Sequence, residues 1–152
     1  MRSVIICLAI SLALVGSVWA DILFIAQSEI GKGEIGGNNT GKEVILYLNG
    51  QNNLPWCAGF VSYCIRKTGK KFPYLLRAKS FVKYGEVITK TELKSGDLAV
   101  FTRQGGGHVG IIESISKEGF VCIEGNVGDY PSKIKRVSHK FTDKNIYKFV
   151  RI

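Results

Sequence analysis

The chain has 152 residues, 45% of them hydrophobic, and a formal net charge of +9 at pH 7. This length supports one domain with one core and hardly two. The charge favours anionic partners such as cell walls, phospholipid or polyanionic glycans. The sequence contains no zinc finger and no basic ribbon interleaved with aromatic residues, so we expect no binding to nucleic acid.

Residues 1–20 are typical of a secretory signal peptide. An apolar run over residues 4–15 follows Arg2, and small or modest side chains precede a predicted cleavage site after Ala20. The run is shorter than the roughly 20 residues that a membrane-spanning helix needs. We therefore expect cleavage, no transmembrane segment in the mature protein, and a secreted or periplasmic domain over residues 21–152.

Residues 54–69 predict a helix with Cys57 in its first turn. Pro55 suits a helix start, and Gly69 suits a left-handed C-terminal cap. Unpaired backbone N–H groups at the helix N-terminus favour the thiolate form of Cys57. The apolar positions with helical spacing predict one buried stripe, made of Cys57, Val61, Cys64 and Ile65. Taken alone, Cys57 could equally be a small core residue.

The remaining segments divide into helices first and strands afterwards. The predicted helices are 21–30, 42–48, 54–69 and 75–84, and the predicted strands are 98–102, 108–115, 119–124, 133–137 and 146–152. A flexible glycine turn, residues 105–107, separates the first two strands, and it lacks the Lys-Ser/Thr tail of a phosphate loop. This order predicts an α+β domain with an antiparallel sheet rather than alternating βαβ units.

A second group of polar residues falls on the predicted strands. His108 opens its strand directly after three glycines, and Glu124 shares one strand face with Phe120 and Cys122. If that strand continues, Asn126 joins the same face. A carboxylate or an amide there could accept the ring N–H of His108. Taken singly, His108 could be a turn histidine and residues 124–126 a polar turn.

Four motifs in this order resemble one family. They are 55–61 (PWCAGFV), 95–101 (SGDLAVF), 107–111 (GHVGI) and 123–126 (IEGN). The chain resembles the CHAP group of cysteine, histidine-dependent amidohydrolases and peptidases, within the NlpC-type, papain-like superfamily. The resemblance covers most of the mature chain and implies a papain-like fold, with N-terminal helices packed on a C-terminal antiparallel sheet.

The resemblance also implies an activity and its residues. It implies a hydrolase of peptidoglycan amide bonds, either an N-acetylmuramoyl-L-alanine amidase or a peptide endopeptidase. Cys57 would be the nucleophile, His108 the base, Glu124 the group that orients His108, and Asn126 an auxiliary polar residue. Many members have Gln before the nucleophile where this chain has Trp56, which leaves the oxyanion donors open; residues 51–53 include candidates.

Three other interpretations remain open from the residues. The chain could be an inactive relative that only binds cell wall, or an amidase acting on a γ-glutamyl or polyamine amide outside the wall. It could also bind zinc through Cys57, Cys64, Cys122 and His108, although six residues separate the first two cysteines, a wider gap than is usual.

The expected partners are peptidoglycan or its fragments, together with the anionic wall surface. We expect a monomer that needs no cofactor or metal. Export permits disulfides, and a bond between Cys64 and Cys122 is one possibility; two free core cysteines are the other and the more common arrangement.

Overall fold

The structure is a computed structural model that describes residues 18–152, with side chains from Ile22 onward. Most of the predicted signal peptide therefore lies outside the described residues. Within residues 18–152, no helix is long and apolar enough to cross a membrane.

Within residues 18–152, three α-helices and one 3-10 helix precede the six strands. They are α1 (Val18–Ser28), α2 (Lys42–Tyr47), α3 (Cys57–Lys67) and a 3-10 helix (Ala78–Lys83). The predicted helix 75–84 is thus wrong in type and length. Its two buried residues, Ala78 and Phe81, are three positions apart, which matches the three residues per turn of a 3-10 helix.

Helix α3 lies at the centre of the molecule. It begins at Cys57, two residues after Pro55, and Gly69 follows its end in the left-handed region with φ of +86°. Every residue from Cys57 to Ile65 is buried, because α3 contacts α1 and α2 as well as the sheet. The buried surface of α3 is therefore wider than the single predicted stripe.

Six strands in the described part of the chain form one antiparallel sheet. They are β1 (Glu86–Ile88), β2 (Leu98–Arg103), β3 (Gly106–Ile115), β4 (Gly119–Val127), β5 (Lys133–Lys140) and β6 (Ile146–Arg151). Their spatial order is β1-β6-β2-β3-β4-β5. The predicted α+β class and helix-on-sheet architecture are confirmed. Strand β1 was not predicted, since it has only three residues and two of them are exposed.

The glycine run between β2 and β3 is mostly strand rather than turn. Arg103 pairs with Gly106, and Thr102 pairs with Gly107, so only residues 104 and 105 form the turn. Gly105 has φ of +78°, which favours glycine. The predicted flexible turn is thus a tight hairpin that fixes the start of β3, two residues before His108.

The sheet buries a separate apolar cluster on each face. Cys64 and Ile123 belong to the cluster under the helices, whereas Cys122 belongs to a second cluster with Phe101 and Phe120. Since Cys122 and Ile123 are adjacent in β4, they point to opposite faces. Cys64 and Cys122 are both free, so the possible disulfide between them is absent and the alternative of two core cysteines holds.

The Ser95-Gly96-Asp97 motif has a structural task. The buried Asp97 carboxylate accepts two hydrogen bonds from the Arg151 guanidinium, at 2.8 and 2.7 Å, and one from the backbone N–H of Lys94 at 2.7 Å. These bonds tie the end of β6 to the start of β2. This anchors the strand that pairs with β3.

Candidate active site

Cys57 is the first residue of α3, and its side chain borders a groove of about 900 Å³. It is 5% exposed. The 3-10 helix and the β2–β3 turn also line this groove. The thiol is therefore held rigidly at a helix N-terminus, where the backbone dipole favours a negative charge, yet it can be reached from outside.

Trp56, directly before the cysteine, is held by a buried carboxylate. Its indole Nε1 donates to Glu34 Oε1 at 3.2 Å, and its ring stacks on Tyr47 with centroids 5.7 Å apart. Glu34 also accepts the backbone N–H groups of Asn39 at 2.9 Å and Ser132 at 2.7 Å. Because its N–H is occupied by Glu34, Trp56 positions the start of α3 and is not available as an oxyanion donor.

His108 and Glu124 form a buried hydrogen bond. His108 Nε2 lies 2.7 Å from Glu124 Oε2, and the two residues are 8% and 2% exposed. An ionised carboxylate only accepts, so Nε2 carries a proton and donates it to Glu124, and Nδ1 is the ring nitrogen free for proton exchange. Nδ1 is buried and has no regular hydrogen-bond partner within residues 18–152, and Cys57 is the titratable neighbour on that side.

The pKa of His108 reflects this position between a thiol and a carboxylate. Burial lowers it, but the interactions with Cys57 and with Glu124 together outweigh burial and raise it to about 9. Glu124 shows the converse balance: burial raises its pKa, and the hydrogen bonds from histidine outweigh that effect and lower it. The surroundings of His108 therefore favour its imidazolium form.

Two glycines make room for this arrangement. A Cβ atom on Gly110 would lie 2.5 Å from Glu124 Cγ, and one on Gly125 would lie 2.5 Å from the Trp56 ring. Gly110 thus lets the Glu124 side chain cross β3 towards His108. Gly125 lets β4 pack closely against the residue that precedes the nucleophile. Both glycines fall within the motifs that carry the family resemblance.

His139 is a site residue that the sequence analysis missed. Its Nε2 lies 2.6 Å from Glu124 Oε1, so the chain's two histidines share one carboxylate. The His139 ring also packs on Phe101, with centroids 4.5 Å apart. The predicted strand ended at Val137, whereas β5 continues to Lys140 and pairs His139 with Phe120. Extending that strand by two residues would have placed His139 on the Glu124 face.

Asn126 lies next to the site without joining the hydrogen-bonded group. Its φ of +59° falls where β4 shifts register against β5, so the expected alternation from Glu124 is interrupted. Its backbone carbonyl accepts a hydrogen bond from Arg103 at 3.3 Å. No hydrogen bond joins its side chain to His108 or Cys57 in the described part of the chain. Its auxiliary role stays a prediction.

The residues considered for zinc do not form a metal centre. Cys64 and Cys122 lie on opposite faces of the sheet. A different trio, Cys122, Glu124 and His139, places its ligand atoms within 4.8 Å of one another. However, ligands at about 2.0–2.2 Å from a tetrahedral ion are more than 3 Å apart, and His139 Nε2 is 2.6 Å from the carboxylate. Burial also raises the pKa of the Cys122 thiol. This trio fits a hydrogen-bonded group.

The fold is that of the NlpC/p60 papain-like structures. The chain is similar to the peptidoglycan hydrolase RipB from Mycobacterium tuberculosis, with a TM-score of 0.58, 17% identity, and coverage of 88% of this chain and 64% of RipB. It is also similar to RipD from the same organism, described as a non-catalytic NlpC/p60 domain protein adapted to peptidoglycan binding, with a TM-score of 0.55, 18% identity, and coverage of 89% and 97%.

A third similar structure is an NLP/P60-family protein, described as similar to a lipoprotein, from Staphylococcus aureus. It has a TM-score of 0.59 and 17% identity, over 90% of this chain and 41% of that protein. No curated protein matches this chain in sequence. The CHAP domain family model matches residues 49–126, which include Cys57, His108 and Glu124, and the chain belongs to this family.

Proposed function

We propose that this protein is an exported cysteine hydrolase that cleaves amide bonds of peptidoglycan. The observation that carries the proposal is the linear arrangement of Cys57 at a helix N-terminus, His108 beside it, and Glu124 bound to the far side of the His108 ring. A nucleophile, a base and an orienting carboxylate in this order form a set suited to acyl transfer.

The reaction follows from the roles of these groups. The Cys57 sulfur attacks the amide carbonyl carbon, the C–N bond breaks, and a thioester forms. His108 holds the thiol proton and gives it to the leaving amine. His108 then takes a proton from water as the water oxygen attacks the thioester carbon. The C–S bond breaks, the carboxylic acid product leaves, and His108 returns the proton to the Cys57 sulfur. Glu124 fixes the Nε2–H tautomer of His108 and stabilises its imidazolium form.

The hydrogen bond between a nucleophile and its base is often poorly aligned before substrate is bound and tightens in the Michaelis complex. The absence of a regular hydrogen bond at His108 Nδ1 within residues 18–152 is consistent with such a resting geometry. The backbone N–H of Cys57 is one candidate oxyanion donor, since the first N–H groups of a helix have no intrahelical partner.

Three features support the cell wall as the substrate. The chain belongs to the CHAP family, its fold is shared with RipB, and its basic charge suits an anionic wall surface. The predicted signal peptide supports export. RipD shows that the same fold also serves wall binding without catalysis. The Cys57, His108 and Glu124 arrangement favours catalysis for this chain.

The class of reaction can be tested on purified peptidoglycan sacculi. Cleavage of an amide releases new amino groups without new reducing sugar ends, and mass spectrometry of the soluble fragments identifies the bond. Binding to sacculi with no release of fragments would assign the protein to a binding role. Hydrolysis of γ-glutamyl or polyamine amides with intact sacculi would favour the amidase that acts outside the wall.

A further inference from the structure

The groove beside Cys57 carries positive charge on one wall. Arg77, Lys79 and Lys83 line it together with Ser80, and none of the residues that line it is acidic. The β2–β3 hairpin also lines the groove through Gly105, Gly106 and Gly107. A Cβ atom on Gly106 would meet nothing within 4 Å, so the hairpin leaves open space at that position.

The 3-10 helix and the residue before it carry a row of polar side chains. A 3-10 helix has three residues per turn, so Ser80 and Lys83 lie nearly above one another, and Arg77, the extended residue directly before the helix, continues the same spacing of three. With a rise of about 2.0 Å per residue, the row extends about 12 Å. Ala78 and Phe81 are buried and fix the helix in the core, whereas Arg77 and Lys83 are exposed. The row is therefore presented on a rigid support.

Arg77 and Lys83 have no acidic partner in the described residues, in contrast to Arg136 and Arg151. Arg136 pairs with Glu113 at 2.6 Å, and Arg151 pairs with Asp97 at 2.7 Å. Within residues 18–152, neither Arg77 nor Lys83 forms an ion pair. Lys79 lies over the Tyr147 ring, 5.1 Å from its centroid. Arg77 and Lys83 can thus form charge-assisted hydrogen bonds with a bound anion.

We propose that this row binds a free carboxylate of the substrate, so that the enzyme prefers acidic peptides with a carboxylate close to the scissile amide. This inference rests on the proposed function, because it takes Cys57 as the reacting group. The stem peptides of peptidoglycan meet this requirement, since they carry free carboxylates beside their amide bonds. Ser80, between the two cations, offers a hydroxyl donor to the same group.

Two substrates that differ in one group test the inference. The same stem peptide is prepared with its free carboxylate and with that carboxylate converted to a neutral amide. The wild-type protein should cleave the acidic form with a kcat/KM about tenfold higher, mostly through KM. Arg77→Gln and Lys83→Gln should each remove most of this preference by raising KM for the acidic peptide.

Lys117→Gln is the matched control. Lys117 is exposed in the β3–β4 turn, at the other end of β3 and about 30 Å from Gly107. The Lys117→Gln change removes one positive charge, as the groove variants do, and should leave the preference for the acidic peptide unchanged. Equal cleavage of both peptides by the wild-type protein, or an equal loss in all three variants, would overturn the inference.

Binding to the Cys57→Ala protein, measured by calorimetry, separates this inference from the proposed function. If the wild-type protein cleaves no amide but the Cys57→Ala protein binds the acidic peptide about tenfold more tightly than the neutral one, the groove binds carboxylates and the proposed reaction is wrong. Cleavage by the wild-type protein, together with equal binding of both peptides to the Cys57→Ala protein, would support the reaction and overturn the groove inference.

A separate observation concerns His139. Glu124 accepts one hydrogen bond on each oxygen, from His108 Nε2 at 2.7 Å and from His139 Nε2 at 2.6 Å. Both contacts are buried or partly buried, and packing against Phe101 and Phe120 holds the His139 ring in place. A carboxylate held on both oxygens cannot rotate away from His108 without breaking a second strong bond.

We infer that His139 is a positioning residue that holds Glu124 in the orientation required by His108. Other titratable or charged groups near this pair are Cys122 on β4, Lys135 opposite Glu124 on β5, and Asp143, whose carboxylate is 3.7 Å from His139 Nδ1. Cys57 approaches from α3 on the far side of His108. Among these groups, only the two histidines bind the Glu124 oxygens directly.

Three variants separate positioning from structural support. His139→Gln keeps an N–H donor near the position of Nε2, whereas His139→Asn is too short to reach and His139→Phe keeps the ring without the donor. In the His139→Asn and His139→Phe variants we expect kcat to fall about tenfold with KM unchanged. The His139→Gln variant should keep most of the wild-type kcat. If Phe fails to fold, the comparison of Gln with Asn decides the question.

The pH profile gives the second readout. The hydrogen bond from His139 is one of the contacts that lower the pKa of Glu124, so its loss raises that pKa. The acid limb of the kcat/KM profile should therefore move to higher pH in the His139→Asn and His139→Phe variants. In the His139→Gln variant it should lie at the wild-type pH. An unchanged profile, full kcat in the Phe variant, or one equivalent of bound metal in the wild-type protein would overturn the inference.

Discussion

Cys57→Ala is expected to lower kcat/KM for peptidoglycan amides by at least about a thousandfold. The change removes the attacking sulfur but little volume. Trp56 stays bound to Glu34, so the start of α3 should keep its place. Initial rates on soluble muropeptides, together with the circular dichroism spectrum of the folded protein, measure the effect.

Cys64→Ala provides a matched control on the same helix. Cys64 lies two turns after Cys57 and is fully buried. Burial raises the pKa of its thiol well above the usual value, so it stays protonated and unreactive. This variant should lose stability by about 1 kcal/mol and keep its activity. Full activity of Cys57→Ala would show that Cys57 is only a core residue.

Substitutions of His108 and Glu124 are expected to have graded effects. His108→Ala removes the proton carrier and should cost roughly a hundredfold to ten-thousandfold in kcat/KM. Glu124→Gln keeps an oxygen that can accept the ring N–H but loses the negative charge. It should therefore cost less, on the order of tenfold to a hundredfold.

The pH dependence gives the direction of the Glu124 effect. The imidazolium of His108 donates a proton to the leaving amine, and its pKa is about 9, so the alkaline limb of kcat/KM should lie near that value. Glu124 is one of the groups that raise this pKa. Glu124→Gln should thus move the alkaline limb to lower pH. An alkaline limb that stays in place in Glu124→Gln would contradict these roles. So would a loss of kcat/KM in Glu124→Gln as severe as that in His108→Ala.

The main outline of the fold could be predicted because its signals are local. Pro55 and Gly69 bracket α3, and the apolar alternation of β4 places Phe120, Cys122 and Glu124 on one face. The order of helices and strands then gives the α+β class. Likewise, the glycine run before His108 indicated that this residue lies near the start of its strand.

The parts that could not be predicted depend on contacts distant in sequence. His139 reaches Glu124 only because β5 pairs with β4 as far as Lys140. The bond from Trp56 to Glu34 joins residues 22 positions apart, and it involves a buried carboxylate in a loop. The basic row at Arg77 and Lys83 depends on a short 3-10 helix, Ala78–Lys83, where the sequence predicted a longer helix over residues 75–84.

Selective alkylation tests the central claim that Cys57 is the reactive thiol. The protein is treated with iodoacetamide at limiting ratios, the modified cysteine is identified by peptide mass mapping, and remaining activity is measured in parallel. Burial raises the pKa of Cys64 and Cys122 and keeps them as thiols, whereas Cys57 opens to the groove. Modification confined to Cys57, with activity lost in equal proportion, is the predicted result. Complete modification of Cys57 with activity retained, or preferential modification of Cys64 or Cys122, would contradict the mechanism.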